Sequence, residues 1–452
     1  MFSISESFKF LDSDLINWKL VLGLLSTGKY VFDTYLKYRQ YEVLQQKSIP
    51  ASIKAEIDPN DFEKSTDYNI AKLKLSVFNN TYYLFQRLFT IRTNIFYSLW
   101  QTTGLLMSRA IPFLPQFMKG TITHSLFFYT TISLISEIID LPFSYYREFV
   151  VEEKFGFNKQ TIGLWLRDHI VGFALNTVIV NGVLSGLLKV FEIYGESFIV
   201  YATGFLFAVS LAFFSLSPFI GRLFHKYTPL QDENLKHQIE NLASKLNFPK
   251  TNIFVIDGSS RSSHSNAYFV GLPWYKEIVI FDTLIEKQTT EGVVAVLGHE
   301  LGHWKLNHIP KLMLIQLLDF TQIFGLFGVF INNKSLYSSF GFTESQPAIV
   351  GLVLYWIIKE PISSATRFVT NIFSRKFECQ ADEFAKNLGY QDDLSKSLLK
   401  LHISSSSVTS TVWLYSAYYN GHPLLSERLS GLGYISKEKI SRETKSKPLK
   451  ED

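Results

Sequence analysis

Residues 197–221 carry no charged side chain. A stretch of that length and apolarity matches the roughly 20 residues a helix needs to cross the hydrocarbon core of a bilayer, so membrane insertion is the first constraint on the fold. Residues 170–188 are nearly as apolar, and residues 120–136 run on into a segment carrying Glu137 and Asp140. Acids at such positions are expected to face protein or water, not lipid. Residues 312–333 are broken only by Asp319, and residues 345–358 continue towards Arg367. Residues 93–108, extended backward past Arg92 and Arg87, and residues 15–36, with Lys19 and Lys29, complete a predicted set of seven spans. Composition agrees, since 47% hydrophobic residues with 40 Phe and 23 Tyr exceed soluble usage. The expected fold is mainly α, a polytopic membrane protein embedded in the lipid bilayer.

Loop charges orient these spans. Residues 36–74 hold Lys37, Arg39, Lys47, Lys54, Lys64, Lys72 and Lys74, whereas residues 110–120 hold only Lys119. The excess of basic residues places the 36–74 loop in the cytosol. Alternation then puts 147–160, 222–310 and the Lys-rich tail after Lys437 on the same side, and 189–196 and 334–344 in the lumen. Residues 1–14 show no basic segment followed by a short apolar core, so no cleaved signal is expected. A net charge of +4 over 452 residues implies no nucleic-acid partner. The single cysteine, Cys379, excludes an internal disulfide and a cysteine-based zinc cluster within one chain, and reads as a small buried or idle residue.

Between the fifth and sixth spans the texture changes to frequent charges and turns. Residues 232–246 have the spacing of an amphipathic helix, and residues 252–256, 267–270 and 277–281 are strand candidates. The chain therefore divides into five spans over 1–221, a soluble segment over 222–310, two spans over 311–370, and a further helix with the C-terminal segment over 371–452.

The soluble segment ends in VLGHELGHWKLNH, residues 296–308. No proline interrupts residues 290–308, and on a helix His299 and His303, four apart, share one face able to hold a zinc ion, with Glu300 beside them to act on water. The bare HExxH pattern also occurs on ordinary surface helices, so its context decides. Catalytic zinc takes three protein ligands and leaves a position open. A third histidine by the metzincin route is closed, because Leu306 and Ile309 stand where Gly and His would be needed. His308, five residues after His303, falls off the ligand face and reads as a helix-end residue before Pro310. Glu378, with Asp382 one turn on, offers a ligand and a supporting carboxylate on a later helix. An ExxxD pair is more often a solvated helix face.

Taken together, HELGHW (299–304), SRKFECQAD (374–382), RSSHSNAYFVG (261–271), EEKFGFNKQT (152–161) and HPLLSERL (422–429) resemble, in order, the type I CAAX prenyl protease family. These are zinc proteases of the endoplasmic reticulum that mature farnesylated yeast a-factor and, in animals, prelamin A. The resemblance implies His299, His303 and Glu378 as zinc ligands, Glu300 as general base, and Asp382 as support for a zinc-bound histidine. It also implies Asn266 at the substrate, and His422 and Arg428 near the metal, the first stabilising the oxyanion and the second fixing a carboxylate. The implied fold is a ring of seven membrane helices around a water-filled chamber capped by a zincin-like α+β portion. The implied substrate is a prenylated CAAX-containing peptide or protein, cut after the prenylated cysteine and, in a-factor-like precursors, again nearer the N-terminus. One departure is a short region between His303 and Glu378, around residues 332–346. Another is a C-terminus with no dilysine signal, so residence in the endoplasmic reticulum, or its nuclear-envelope extension, rests on the resemblance. Two other readings use the same residues. One is a membrane quality-control protease for unlipidated chains, the other a container that extracts stalled polypeptides from a translocon.

Overall fold

The computed structural model describes residues 4–50, 53–113, 115–249, 251–272 and 275–434, and the Lys-rich tail lies outside them. The first half is a succession of long helices: α1 (Trp18–Gln45), α2 (Pro59–Arg92), α3 (Ile95–Ala110), α4 (Thr121–Tyr146), α5 (Ile162–Tyr194) and α6 (Phe198–Phe224). Each start has a local cause. Asn17, Asp58 and Thr161 accept backbone N–H bonds at the N-termini of α1, α2 and α5, and Pro59 opens α2, where a missing N–H costs nothing. α2 and α3 form one rod with a hinge at Thr93–Asn94, where Lys19 of α1 donates to the Arg92 carbonyl and to Asn94 Oδ1. The soluble segment follows: β1 (Tyr227–Pro229), α7 (Glu233–Lys245), β2 (Thr251–Ile256), β3 (Ala267–Leu272), β4 (Tyr275–Phe281) and α8 (Thr290–Lys305). The chain then returns through α9 (His308–Phe330) and α10 (Ala348–Ala385) and ends in α11 (Gln391–Ser404), α12 (Trp413–Tyr419) and α13 (Leu425–Leu432).

Five of these segments are long and apolar enough to cross a membrane by length and composition: Thr121–Glu152, Ile162–Tyr194, Phe198–Phe224, His308–Phe330 and the first part of Ala348–Ser404. The other two predicted spans coincide with α1 and the α2–α3 rod. Their charges find partners inside the protein. Lys29 pairs with Asp33 and lies 3.8 Å from Glu360 of α10, Arg87 contacts the same glutamate, and the Tyr418 hydroxyl donates to Asp33. Neighbour packs on neighbour in the order α10, α1, α2–α3, α4, α5, α6, α9 and back to α10, which closes a ring of seven rods. Only 6% of the most apolar window of α4 or α5 and 11% of that of α6 is buried. A helix in a solid bundle buries a broad stripe, so such sparse burial means that the inner face, like the lipid face, borders open space. The acids inside these runs have protein partners: Glu137 with His169 at 2.7 Å and Asp140 with the Tyr83 hydroxyl at 2.6 Å.

Two cores close the ends of the ring. One gathers Trp18, Phe191, Phe198, Phe324, Phe327, Tyr337 and Tyr355 around the short loop between α9 and α10. Asn333, just before the loop expected in the lumen, is buried there and donates to the Leu11 carbonyl. The other core packs α7, α8 and the sheet together with Ala385 and Leu394. Because α10 contributes Leu352 to the first and Ala385 to the second, the cores lie about 50 Å apart at the helical rise. The 36–74 and 147–160 loops join the second end: Ile53, Ile57 and Phe62 pack on Ile403 and Leu429, and Asn158 bridges Ser262. That matches the same-side placement drawn from loop charge.

The sheet order is β1-β2-β4-β3, with β2 parallel to β4 and β3 antiparallel to β4 at an edge. β1 escaped the sequence reading, being three residues long and ending in proline. The expected helix over residues 290–308 is broken: Asn307 is left-handed (φ 55, ψ 40) and α9 starts afresh at His308. The expected domain limit at 370/371 falls inside α10, which carries the last span and Glu378 on one continuous helix.

Candidate metal centre and active site

α8 is buried on nearly every side over Gly292–Leu297, which makes it the central helix of the soluble core, and Thr289 caps it by accepting from Gly292 N. Its last turns meet α10 closely because of Gly302. A Cβ there would lie 3.0 Å from the Phe384 ring and 3.3 Å from the Ala381 Cα, so a side chain would wedge the two helices apart. This close crossing places Glu378 of α10 against the histidines of α8.

His299 Nε2 lies 3.2 Å from His303 Nε2 and 3.4 Å from Glu378 Oε2, and His303 Nε2 lies 3.3 Å from Glu378 Oε1. A tetrahedral zinc centre with ligand bonds near 2.0–2.1 Å requires ligand atoms roughly 3.3–3.4 Å apart, so the spacing fits. The outer hydrogen bonds also leave the right electrons inward. His299 Nδ1 donates to Asp382 Oδ1 at 2.8 Å, which leaves a lone pair on Nε2. Gln380 Oε1 accepts from His308 Nε2 at 3.1 Å, so His308 Nδ1 accepts from His303 Nδ1 at 3.0 Å and Nε2 of His303 is likewise bare. Two bare ring nitrogens facing each other cannot bond to one another. With a carboxylate beside them they form a cation site, and Glu378 Oε2 is buried without a hydrogen-bond partner of good geometry.

Arg428 of α13 grips Asp382 with two bonds, 2.8 Å from Nε and 2.6 Å from Nη2, and its Nη1 lies 3.8 Å from Glu378. His422 is largely exposed, with Nδ1 3.0 Å from Glu378 Oε2, at the open side of the site. Burial pushes the Glu300 carboxyl above the usual carboxylate range against the pull of His299 and His303, which suits a group that must pick up a proton. Asn266 is exposed at the start of β3, where its Oδ1 accepts from Ala267 N and its carbonyl from Phe281 N. It stands at the edge of the sheet, and among the described residues no hydrogen bond joins its side chain to the metal-binding residues. Two motifs distant in sequence hold that edge. The Lys159 N–H donates to the Arg261 carbonyl at 3.1 Å, His264 stacks on Phe157, and Arg261 makes a bidentate pair with Asp168.

Sequence reasoning missed three participants. His308, read as a helix-end residue, is 1% exposed, stacked on Phe377, and holds His303. The left-handed Asn307 brings it back to the site. Gln380 carried no signal beyond its place between Cys379 and Ala381. Arg375 donates to Ser416, to the His422 carbonyl and to Glu427, and so anchors the loop carrying His422. Cys379, expected to be small and buried or idle, is exposed and takes no part in the cluster.

Comparison with known proteins gives a consistent answer. Residues 40–226 match the family profile described as CAAX prenyl protease N-terminal, five membrane helices, and residues 229–436 match peptidase family M48. The chain is 41% identical over 445 residues to CAAX prenyl protease 1 of Saccharomyces cerevisiae, covering 95% of this chain and 98% of the relative. It is 36% identical to the CAAX prenyl protease 1 homolog of Homo sapiens, with 90% and 94% covered. The crystal structure of S. mikatae Ste24p superposes with a TM-score of 0.88 at 40% identity, covering 93% of this chain and all of that one. A helical membrane ring whose α8 and α10 converge on a His, His, Glu cluster, matched over both halves, is a metallopeptidase of family M48, and the chain belongs to its CAAX prenyl protease branch.

Proposed function

We propose that the protein is a zinc endopeptidase that processes C-terminal CAAX motifs of prenylated proteins and cuts a-factor-like precursors a second time nearer their N-terminus. The observation carrying the metal assignment is the triangle of bare Nε2 and carboxylate oxygen atoms 3.2–3.4 Å apart. The names of the relatives support the substrate class. A zinc ion held by His299, His303 and Glu378 supplies Lewis acidity towards the scissile carbonyl and towards water. Glu300 takes the proton of the attacking water and passes it to the leaving amine. His422 donates to the developing oxyanion, while Arg428 keeps Asp382 charged and His299 aligned. The peptide joins the edge of β3 beside Asn266 as an added strand, where main-chain bonding tolerates varied side chains. Comparing one peptide with and without its prenyl group tests the reading. Preference for the prenylated form supports it, and equal rates favour a quality-control protease.

His308 is the positioning residue for His303. His308→Ala should weaken zinc affinity, read by competition with a chromogenic chelator, by about 10–100-fold, whereas His308→Gln, which can keep an acceptor for His303 Nδ1, should retain most of the affinity. Unchanged zinc affinity would remove His308 from this role.

We place the metal centre on the cytosolic face of the endoplasmic reticulum membrane, from the charge of the 36–74 loop. In a Cys379→Ser background, Glu240→Cys on α7 should react with an impermeant maleimide in sealed, cytosol-side-out microsomes. Glu344→Cys, in the loop before α10, should react only after detergent. The reverse pattern would invert the topology.

A further inference from the structure

A cavity of about 600 Å³, within the range of ligand sites, is lined by four rods of the ring, α5, α6, α9 and α10. Its wall is hydrocarbon apart from the polar tips of Asn176, Tyr355 and Trp356. Such a space selects an uncharged apolar chain and rejects a peptide, whose amides would go unpaired. It is also long. Along α5 it extends from Gly172 to Leu187, about 22 Å of helix, against roughly 15 Å for an extended farnesyl chain at ordinary carbon–carbon bond lengths. One end is lined by Phe224, the last residue of α6, and α6 packs directly against β3. The end of the cavity at Phe224 therefore lies on the helix that packs against β3, the strand on which the peptide is proposed to lie.

We propose that this cavity receives the isoprenoid chain of the substrate, with its mouth at Gly172 and Phe224 and the hydrocarbon running down between α5 and α6 while the peptide stays on β3. The assignment rests on the reading of the protein as a prenyl protease. It explains how one active site handles a lipidated and a polar moiety at once: the two parts occupy separate walls of the same chamber.

Gly172 provides the test, because it lines the cavity and a Cβ there meets no atom within 4 Å, so a side chain can leave the backbone at that point without a clash. Gly163, equally open at the start of α5 and outside the cavity lining, serves as the control. The full-length protein in lipid nanodiscs is given one CAAX peptide in farnesylated and unlipidated forms. Each methylene excluded costs about fourfold, so Gly172→Trp should lower kcat/KM for the farnesylated peptide at least ~10-fold and leave the unlipidated peptide within ~2-fold. Gly163→Trp should change neither. In parallel, a diazirine-bearing farnesyl peptide photolysed on the wild-type protein should label residues 172–187 and 206–224. A wild-type enzyme with no preference for the farnesyl group sinks the functional reading itself. A preference that survives Gly172→Trp, or labelling confined to other helices, overturns the cavity assignment alone. If Gly172→Trp slows both peptides equally, the labelling map decides between these outcomes.

Discussion

Glu300→Gln should cleave a prenylated CAAX peptide at least ~100-fold more slowly than the parent while holding about one zinc per chain, because it removes the base and leaves every proposed ligand in place. The loss corresponds to at least about 2.7 kcal/mol of transition-state stabilisation. The side chain keeps its size, so packing of α8 against α10 around Gly302 is unaffected. The carboxyl of Glu300 sits on a buried stretch with its proton affinity raised by burial, and an amide there neither accepts nor returns a proton. Stopped assays on metal-quantified protein check both halves of the expectation. Normal cleavage by this variant would mean that another group activates water.

Glu378→Ala should have the second large effect, by a different route. It removes the only carboxylate of the cluster and leaves His299 Nε2 and His303 Nε2 facing one another with no anion between them. Zinc should be lost on dialysis, activity should fall to background, and the melting temperature should drop because metal bound only to the folded state contributes to stability. Glu383→Ala, five residues along the same helix and outside the metal cluster, should alter none of these. A Glu378→Ala protein that keeps zinc as tightly as the parent would move the third ligand elsewhere.

The parts legible in sequence were those with a local signature. Uncharged runs marked α4, α5, α6, α9 and α10, strand candidates marked β2, β3 and β4, and the HExxH spacing marked α8. The first spans were harder to see because Lys29 and Arg87 are balanced by Asp33 and by Glu360 of the neighbouring α10, with the Tyr418 hydroxyl donating to Asp33, and a hydropathy run counts charges without knowing their partners. His308 was misread for a geometric reason. An unbroken helix would carry it off the ligand face, but one left-handed residue, Asn307, folds it back onto His303. His422 and Arg428 had no local signal at all. They reach the site through α13 and its preceding loop, held by Arg375 and by the pairing with Asp382, and only the resemblance pointed to them. Asn266 is partly accounted for. The strand after it was legible from its β-branched and aromatic run, its place at the sheet edge only from the structure, and its link to substrate comes from the resemblance.

The most direct test of the account is zinc K-edge X-ray absorption on the purified full-length protein, recorded beside Glu378→Ala. The account predicts a four-coordinate centre with two imidazole nitrogens and a carboxylate oxygen at about 2.0–2.2 Å, which disappears in the variant. A sulfur scatterer at about 2.3 Å, which the exposed Cys379 next to Glu378 would supply, or an unchanged spectrum in Glu378→Ala, would contradict it.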